Sequence, residues 1–424
     1  MGNPSFPRAA LSDALSVILP TREETLLLRA CLYSGDAARQ AWKEWRSRTS
    51  GGANDYLVTD QSVKAILPLI FNALRCHGLE LDKESTTFLR SAYLKEELRN
   101  KIFRRICRDV LLLLAKEDIS AIVLKGTALA ETVYPSPVLR HSHDIEILLK
   151  DQDLDRAATT LCRIFFRIVK QGPEPGGSHF TLEHETHLPL ELHSGLFQIP
   201  YYNSSLAEIW SRRRKCEVAD VPAHILAPSD NLLHVCGHAS YSRGHQSLRW
   251  VNDAWFVIDR NPDLDWDLLL DCAGRSHLVL PLSVILSYLA EDLKAAVPPD
   301  FLHRLSAAAS ESSAVEQEFA LFSARSAPLG SFRSLLRKTN SWRGRAFVIR
   351  WMLFPSPTYL RWVQQNHRSW LLPFYYVYRP ISYVGRRIGS AFKESVERIR
   401  FLKKRRALLR NNRVTIIRVD EHKE

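Results

Sequence analysis

The chain has 424 residues, 46% apolar and 25% charged, a composition typical of folded globular protein and a length that calls for two or three domains. Its net charge of +12 is uneven: between residues 386 and 413, eleven Lys or Arg face only Glu394 and Glu397, so this tail supplies +9 of the total. The rest is near neutral, which argues against a global affinity for nucleic acid and confines the basic character to one segment.

Residues 1–118 read as a helical N-terminal region. In "ESTTFLRSAYLKEELRNKIFRRICRDVLLLLAKED" the apolar residues Leu89, Tyr93, Leu98, Ile102, Ile106 and Val110 recur near every 3.6 positions, as in one long amphipathic helix. Residues 119–200 read as an α/β core, with strands at 121–125, 144–149, 165–170, 179–184 and 187–193 and helices at 126–134 and 151–163. Residues 201–330 return to helical patterning, as expected of a helical bundle; residues 331–424 are aromatic, then basic. No apolar run of about 18 residues occurs, which argues against a spanning helix. The N-terminus lacks a basic segment followed by an apolar one, and Phe6 stands where myristoylation wants Ser or Thr. Seven scattered cysteines without a C-x-x-C pair read as reduced thiols, so a cytoplasmic protein is expected.

The chemistry concentrates in "VLKGTALAETVYPSPVLRHSHDIEILLK", residues 123–150. In a strand alternate side chains share a face, so Asp144 and Glu146 point together while Ile145 and Ile147 enter the core. Two carboxylates on one face ask for a cation, and Mg²⁺ or Mn²⁺ with a substrate polyphosphate suits hard oxygen ligands. In "LPLELH", Glu191 and His193 likewise share a face opposite Leu190 and Leu192, so Glu191 supplies a third carboxylate if the two strands are neighbours. Lys125, Gly126 and Thr127 lie where a strand gives way to a helix, whose first N–H groups suit a phosphate. Three acids beside an anion-binding helix start suggest metal-assisted nucleotidyl transfer.

These residues carry a resemblance. "LKGTALAETVYPSPVLRHSHDIEILL", with "LELHSGL", "LLHVCGHASYSRGHQSLRWVNDAWFVI" and "DWDLLL", resembles an uncharacterised nucleotidyltransferase family within the superfamily of DNA polymerase beta and the aminoglycoside nucleotidyltransferases, over roughly residues 60–300. The resemblance implies an α+β fold, a small mixed nucleotidyltransferase sheet flanked by helices. It implies Asp144, Glu146 and Glu191 as metal-binding catalytic acids, and Gly126, Thr127, Lys125 and Arg140 as the nucleotide-binding set. Two departures stand out: Glu146 where Asp is usual, and His143 where Gly is common. The implied substrates are an NTP, ATP included, and an unknown acceptor, for which a sugar, a lipid-linked saccharide or a peptide fits by analogy. A second reading is a catalytically degenerate nucleotide-binding module that recruits partners, at a membrane surface for example.

His234 and His238 stand four apart with Asp253 beyond, a spacing that suits a metal, but the Glu of H-E-x-x-H is absent at Val235. These histidines read better as lining the acceptor side of a cleft or bonding within a bundle. Trp250, Trp255 and Trp266 read as core. A helix over 384–410 would set Ile388, Phe392, Val396, Ile399 and Leu402 against a basic face. It suits either a peripheral contact on the anionic inner face of the membrane or packing on the main domain with a solvated charged side. No recognisable RNA module accompanies it.

Overall fold

A computed structural model describes residues 15–49, most of 56–313 and a few positions between 316 and 377; the gaps within the second range are 59, 61, 175–176, 198–201, 203 and 241–246. The chain falls into two units, Met1–Arg345 and Ala346–Glu424. In the second, residues 373–377 are helical, and the basic segment 384–410 lies outside the described residues.

Helices α1 (Arg22–Leu32), α2 (Gly35–Arg48), α3 (Leu67–His77) and α4 (Lys83–Lys116) open the first unit. A capping box starts α1: Thr21 Oγ1 accepts from the Glu24 N–H at 3.2 Å, and Glu24 accepts from the Thr21 N–H at 2.7 Å. Asp82 caps α4 by accepting from the Ser85 N–H at 2.8 Å, a contact worth about 1 kcal/mol. At 34 residues α4 runs about 51 Å, longer than a small core can cover. Its stripe is therefore buried at the ends, at Leu89, Ile106 and Val110, while Leu98 and Ile102 in the middle are 64% and 44% exposed.

The middle of the chain alternates strands and helices: β1 (Ala121–Leu124), α5 (Lys125–Thr132), β2 (Ile145–Leu149), α6 (Leu154–Leu161), β3 (Phe166–Glu174), β4 (Gly177–His184), β5 (Pro189–His193), α7 (Leu206–Arg212), β6 (Arg214–Val218) and β7 (Val221–Ile225). They build one seven-stranded sheet in the order β3-β4-β5-β2-β1-β7-β6. The sheet is mixed: β2 pairs with β5, and β1 with β7, in parallel, while the other neighbours run antiparallel. Alternation sends Ile145, Ile147, Leu149, Leu190 and Leu192 into a core with Ile106, Val110 and Leu114 of α4 and Ala157 and Leu161 of α6. Each such aliphatic side chain contributes about 1.5–3 kcal/mol on burial, so the covered face fixes the register. It thereby fixes which residues appear on the opposite face.

The hairpin of β6 and β7 falls in a stretch that patterning gave to helices, and it carries the sheet past residue 200 to Ile225. Its signal is weak for two physical reasons. The edge strand Arg214–Val218 is mostly polar and lacks clean alternation, and the two-residue turn uses Ala219 and Asp220, at φ +52° and +62°, in place of the Asn-Gly that normally marks it.

Helices α8 (Pro228–Ala239), α9 (Ser247–Arg260), α10 (Trp266–Arg275), α11 (Val279–Glu291) and α12 (Pro299–Ser310) form the bundle that follows. Trp250 is buried, Trp255 donates from Nε1 to the Leu293 carbonyl at 3.2 Å, and Trp266 packs on Phe301 with centroids 4.8 Å apart. Among the described residues, no helix is long and apolar enough to cross a membrane.

Candidate active site

The junction of β1 and α5 places a cation beside an acid. Leu124 pairs with Glu146 across the sheet, so the next residue, Lys125, starts α5 at the strand end, with φ +41°. Its Nζ donates to Glu146 Oε1 at 2.8 Å. Gly126 is required by close approach: a Cβ there would lie 2.3 Å from Ser142 Oγ and 3.1 Å from Ser142 Cβ. Thr127, next in the helix, is buried, and its Oγ1 has no hydrogen-bond partner.

The three acids meet. Asp144 immediately precedes β2, Glu146 lies on it, and the parallel register sets Glu191 of β5 directly opposite Glu146. One oxygen from each lies within 4.8 Å of the others. Burial, then the charges of Glu146 and Glu191, pushes the Asp144 carboxyl up to about 6, although Lys125 and Arg249 pull it down. Burial would raise Glu191 too, but the neighbouring His193, with Lys125, holds its pKa below the usual value. Glu146 Oε2 is buried without a hydrogen-bond partner, an orphaned acceptor that suits a cation. The donor set is all carboxylate oxygen, the chemistry Mg²⁺ or Mn²⁺ takes.

The strap before β2 is tied on both sides. Arg99 of α4 donates from Nε to the Ser142 carbonyl at 3.0 Å, and His141 Nδ1 lies 2.6 Å from Glu96 Oε2. Arg140 is buried and grips Asp253 of α9 with both arms of its guanidinium, at 2.8 and 2.7 Å, while the Tyr134 hydroxyl donates to the same carboxylate at 2.7 Å. Asp253 thus has its oxygens engaged, and it does not join His234 and His238 in a metal cluster. His234 is buried against Phe197, centroids 5.7 Å apart, with its pKa driven far down by burial and then by Lys125.

A cavity of about 300 Å³ opens over these groups. Asp144, Glu146 and Glu191 line one side; Lys125, Gly126 and Arg140 adjoin them; His143, Val235, His238, Arg249, Trp250 and Asp253 complete the wall. His238 is kept neutral by burial and by the nearby Lys125 charge. Burial, then His141 and three arginines, drops His143 to about 3. His238 lines the cavity, one of the two places the sequence offered for it, while Arg249 is a lining residue that the sequence reading did not single out. A signal existed for Arg249: it stands four residues before Asp253, hence on the same face of α9.

Residues 55–294, more than half of the chain, match the family described as "Uncharacterised nucleotidyltransferase", close to the span of the resemblance seen in the sequence. No curated protein matches. Among solved structures, the lincomycin-bound lincosamide antibiotic adenylyltransferase LnuA is 16% identical, with a TM-score of 0.27 over 35% of this chain and 96% of that one. An antigenic nucleotidyltransferase-like protein from Paracoccidioides brasiliensis is also 16% identical, with a TM-score of 0.31 over 48% of this chain and 96% of that one. Likenesses this distant carry no argument about substrates.

Proposed function

The chain belongs to the uncharacterised nucleotidyltransferase family, and we propose that it moves a nucleoside monophosphate from an NTP to an acceptor hydroxyl, with Asp144, Glu146 and Glu191 holding Mg²⁺ or Mn²⁺. The observation that carries this reading is the convergence of three carboxylates on one wall of a cavity whose neighbouring wall is cationic. Unit charges of like sign at about 4 Å repel by roughly 4 kcal/mol in a partly screened site, and Lys125 offsets only part of that. A divalent ion bound there would offset part of the charge of the acids and the polyphosphate and polarise the α-phosphoryl oxygens.

The chain's own residues divide the remaining work. Lys125, Gly126 and Arg249, which line the cavity, receive the phosphates, with the Thr127 N–H beside them at the start of α5. Arg140, engaged with Asp253, borders the pocket and holds the acid strap in place. The acceptor oxygen attacks the α-phosphorus, the bond to the bridging oxygen of the leaving pyrophosphate breaks, and the acceptor's proton passes to water. Val235 and Trp250, from α8 and α9, give the acceptor side an apolar wall, compatible with a sugar, a lipid-linked saccharide or a peptide. The basic tail would add a peripheral contact with an anionic membrane surface.

Glu146 decides between this reading and a degenerate nucleotide-binding module. Pyrophosphate release measured with each NTP and a panel of acceptors should persist or rise in Glu146→Asp, which restores the family's usual residue, and vanish in Glu146→Ala. Turnover undiminished in Glu146→Ala would remove the acid cluster from the chemistry.

A further inference from the structure

We infer that His179, His193 and Glu191 form a second metal site, for an ion of the zinc class, sharing Glu191 with the carboxylate cluster. It goes beyond the transferase reading and does not depend on it. The antiparallel register of β4 and β5 sets His179 opposite His193 and Thr181 opposite Glu191. Because Phe180, Leu182, Leu190 and Leu192 point into the core, these four polar residues share the other face. One ligand atom from each of His179, Glu191 and His193 lies within 4.8 Å of the other two.

Two further observations point to a ligand. The imidazoles of His179 and His193 stack at 4.7 Å between centroids with their planes 25° apart. His193 is only 9% exposed, and its Nε2 lies 3.3 Å from Glu191 Oε2 without the alignment of a hydrogen bond, which leaves that nitrogen available to a ligand. The Thr181 hydroxyl, 3.3 Å from His179 Nε2, is placed to orient that ring, as outer groups around metal-bound histidines do.

The donor set separates the two sites. Two imidazoles with one carboxylate prefer Zn²⁺, Co²⁺ or Ni²⁺, whereas the all-oxygen set of Asp144, Glu146 and Glu191 prefers Mg²⁺ or Mn²⁺. Three protein ligands leave a fourth position open to water or to a substrate atom. Glu191 has two carboxylate oxygens, so a single side chain can serve both ions, and occupancy of one site will be felt at the other.

The test is titration of the chelator-stripped full chain with Co²⁺, read by its visible d–d absorption. Wild type, His179→Gln, His193→Gln and Asp144→Asn are compared, with folding checked by circular dichroism. One equivalent should bind to wild type and to Asp144→Asn alike, Zn²⁺ should displace it, and excess Mg²⁺ should not. Each histidine variant should weaken it at least about tenfold. A band unchanged in both folded histidine variants, lost in Asp144→Asn, or absent from folded wild type would overturn the assignment. The Asp144→Asn arm keeps this outcome separate from the transferase proposal, because that variant disables the carboxylate cluster and leaves the histidines intact.

Discussion

Replacing Arg140 with methionine should cost far more stability than a lost surface ion pair. The Arg140 and Asp253 side chains are 7% and 5% exposed, and the guanidinium supplies two of the three hydrogen bonds that the carboxylate receives. Without it Asp253 stays buried with only the Tyr134 hydroxyl, a situation that costs about 3–5 kcal/mol. In a unit of 345 residues, with an unfolding entropy of about 2.1 cal/mol/K per residue, that lowers the melting temperature by roughly 4–7 °C. The double variant Arg140→Met/Asp253→Leu should regain part of the loss, leaving about 1–3 kcal/mol for the stranded Tyr134 hydroxyl. Thermal melts of wild type, both singles and the double close the cycle. A single variant that melts within about 2 °C of wild type yet loses nucleotide binding would make Arg140 a phosphate contact and refute its role as a clamp. A double variant no better than the single would refute the coupling.

Two further outcomes follow from the same geometry. Gly126→Ala puts a Cβ 2.3 Å from Ser142 Oγ, so the strap carrying Asp144 must move; NTP affinity measured by calorimetry should fall at least about tenfold, while Gly274→Ala, where nothing lies near the added Cβ, serves as control. With Asp144 at about 6 against its ordinary 3.8, the folded chain holds this proton more tightly than the unfolded one. As pH falls from 7 toward 4, this group therefore adds stability to the metal-free protein, at most roughly 3 kcal/mol. Mn²⁺ affinity should fall about tenfold per unit below pH 6, because proton and ion compete for one carboxylate. Urea unfolding and Mn²⁺ titration across that range should thus move in opposite directions, and Asp144→Asn should flatten both; parallel trends would contradict the assignment.

Much of the site was legible because strand alternation is a strong constraint. Asp144 with Glu146, and Glu191 with His193, were placed on shared faces from spacing alone, and the register Glu146 to Glu191 is the neighbour relation that the third acid required. What spacing could not reveal was the far side of the cavity. Arg249 reaches it from a helix that begins 22 residues after the last strand, and only packing brings it there, whereas His238, read from the sequence as lining a cleft or bonding within a bundle, does border the cavity. The tie between Arg140 and Asp253 spans 113 residues, beyond any local pattern. Leu98 and Ile102 fit the helical period yet lie exposed, since periodicity marks a face without saying how far along a 34-residue helix that face is covered. The β6–β7 hairpin escaped because its strand is polar and its turn residues are atypical.

The central claim is that Asp144, Glu146 and Glu191 bind a divalent ion together with an NTP. Calorimetric titration of the full chain with each of the four NTPs, with and without Mg²⁺ or Mn²⁺, beside a folded Asp144→Asn variant, tests it most directly. Binding of at least one NTP that needs the ion and is lost in Asp144→Asn is the predicted result. Binding that ignores both the ion and the substitution, or none by a folded wild type in either metal, would contradict it.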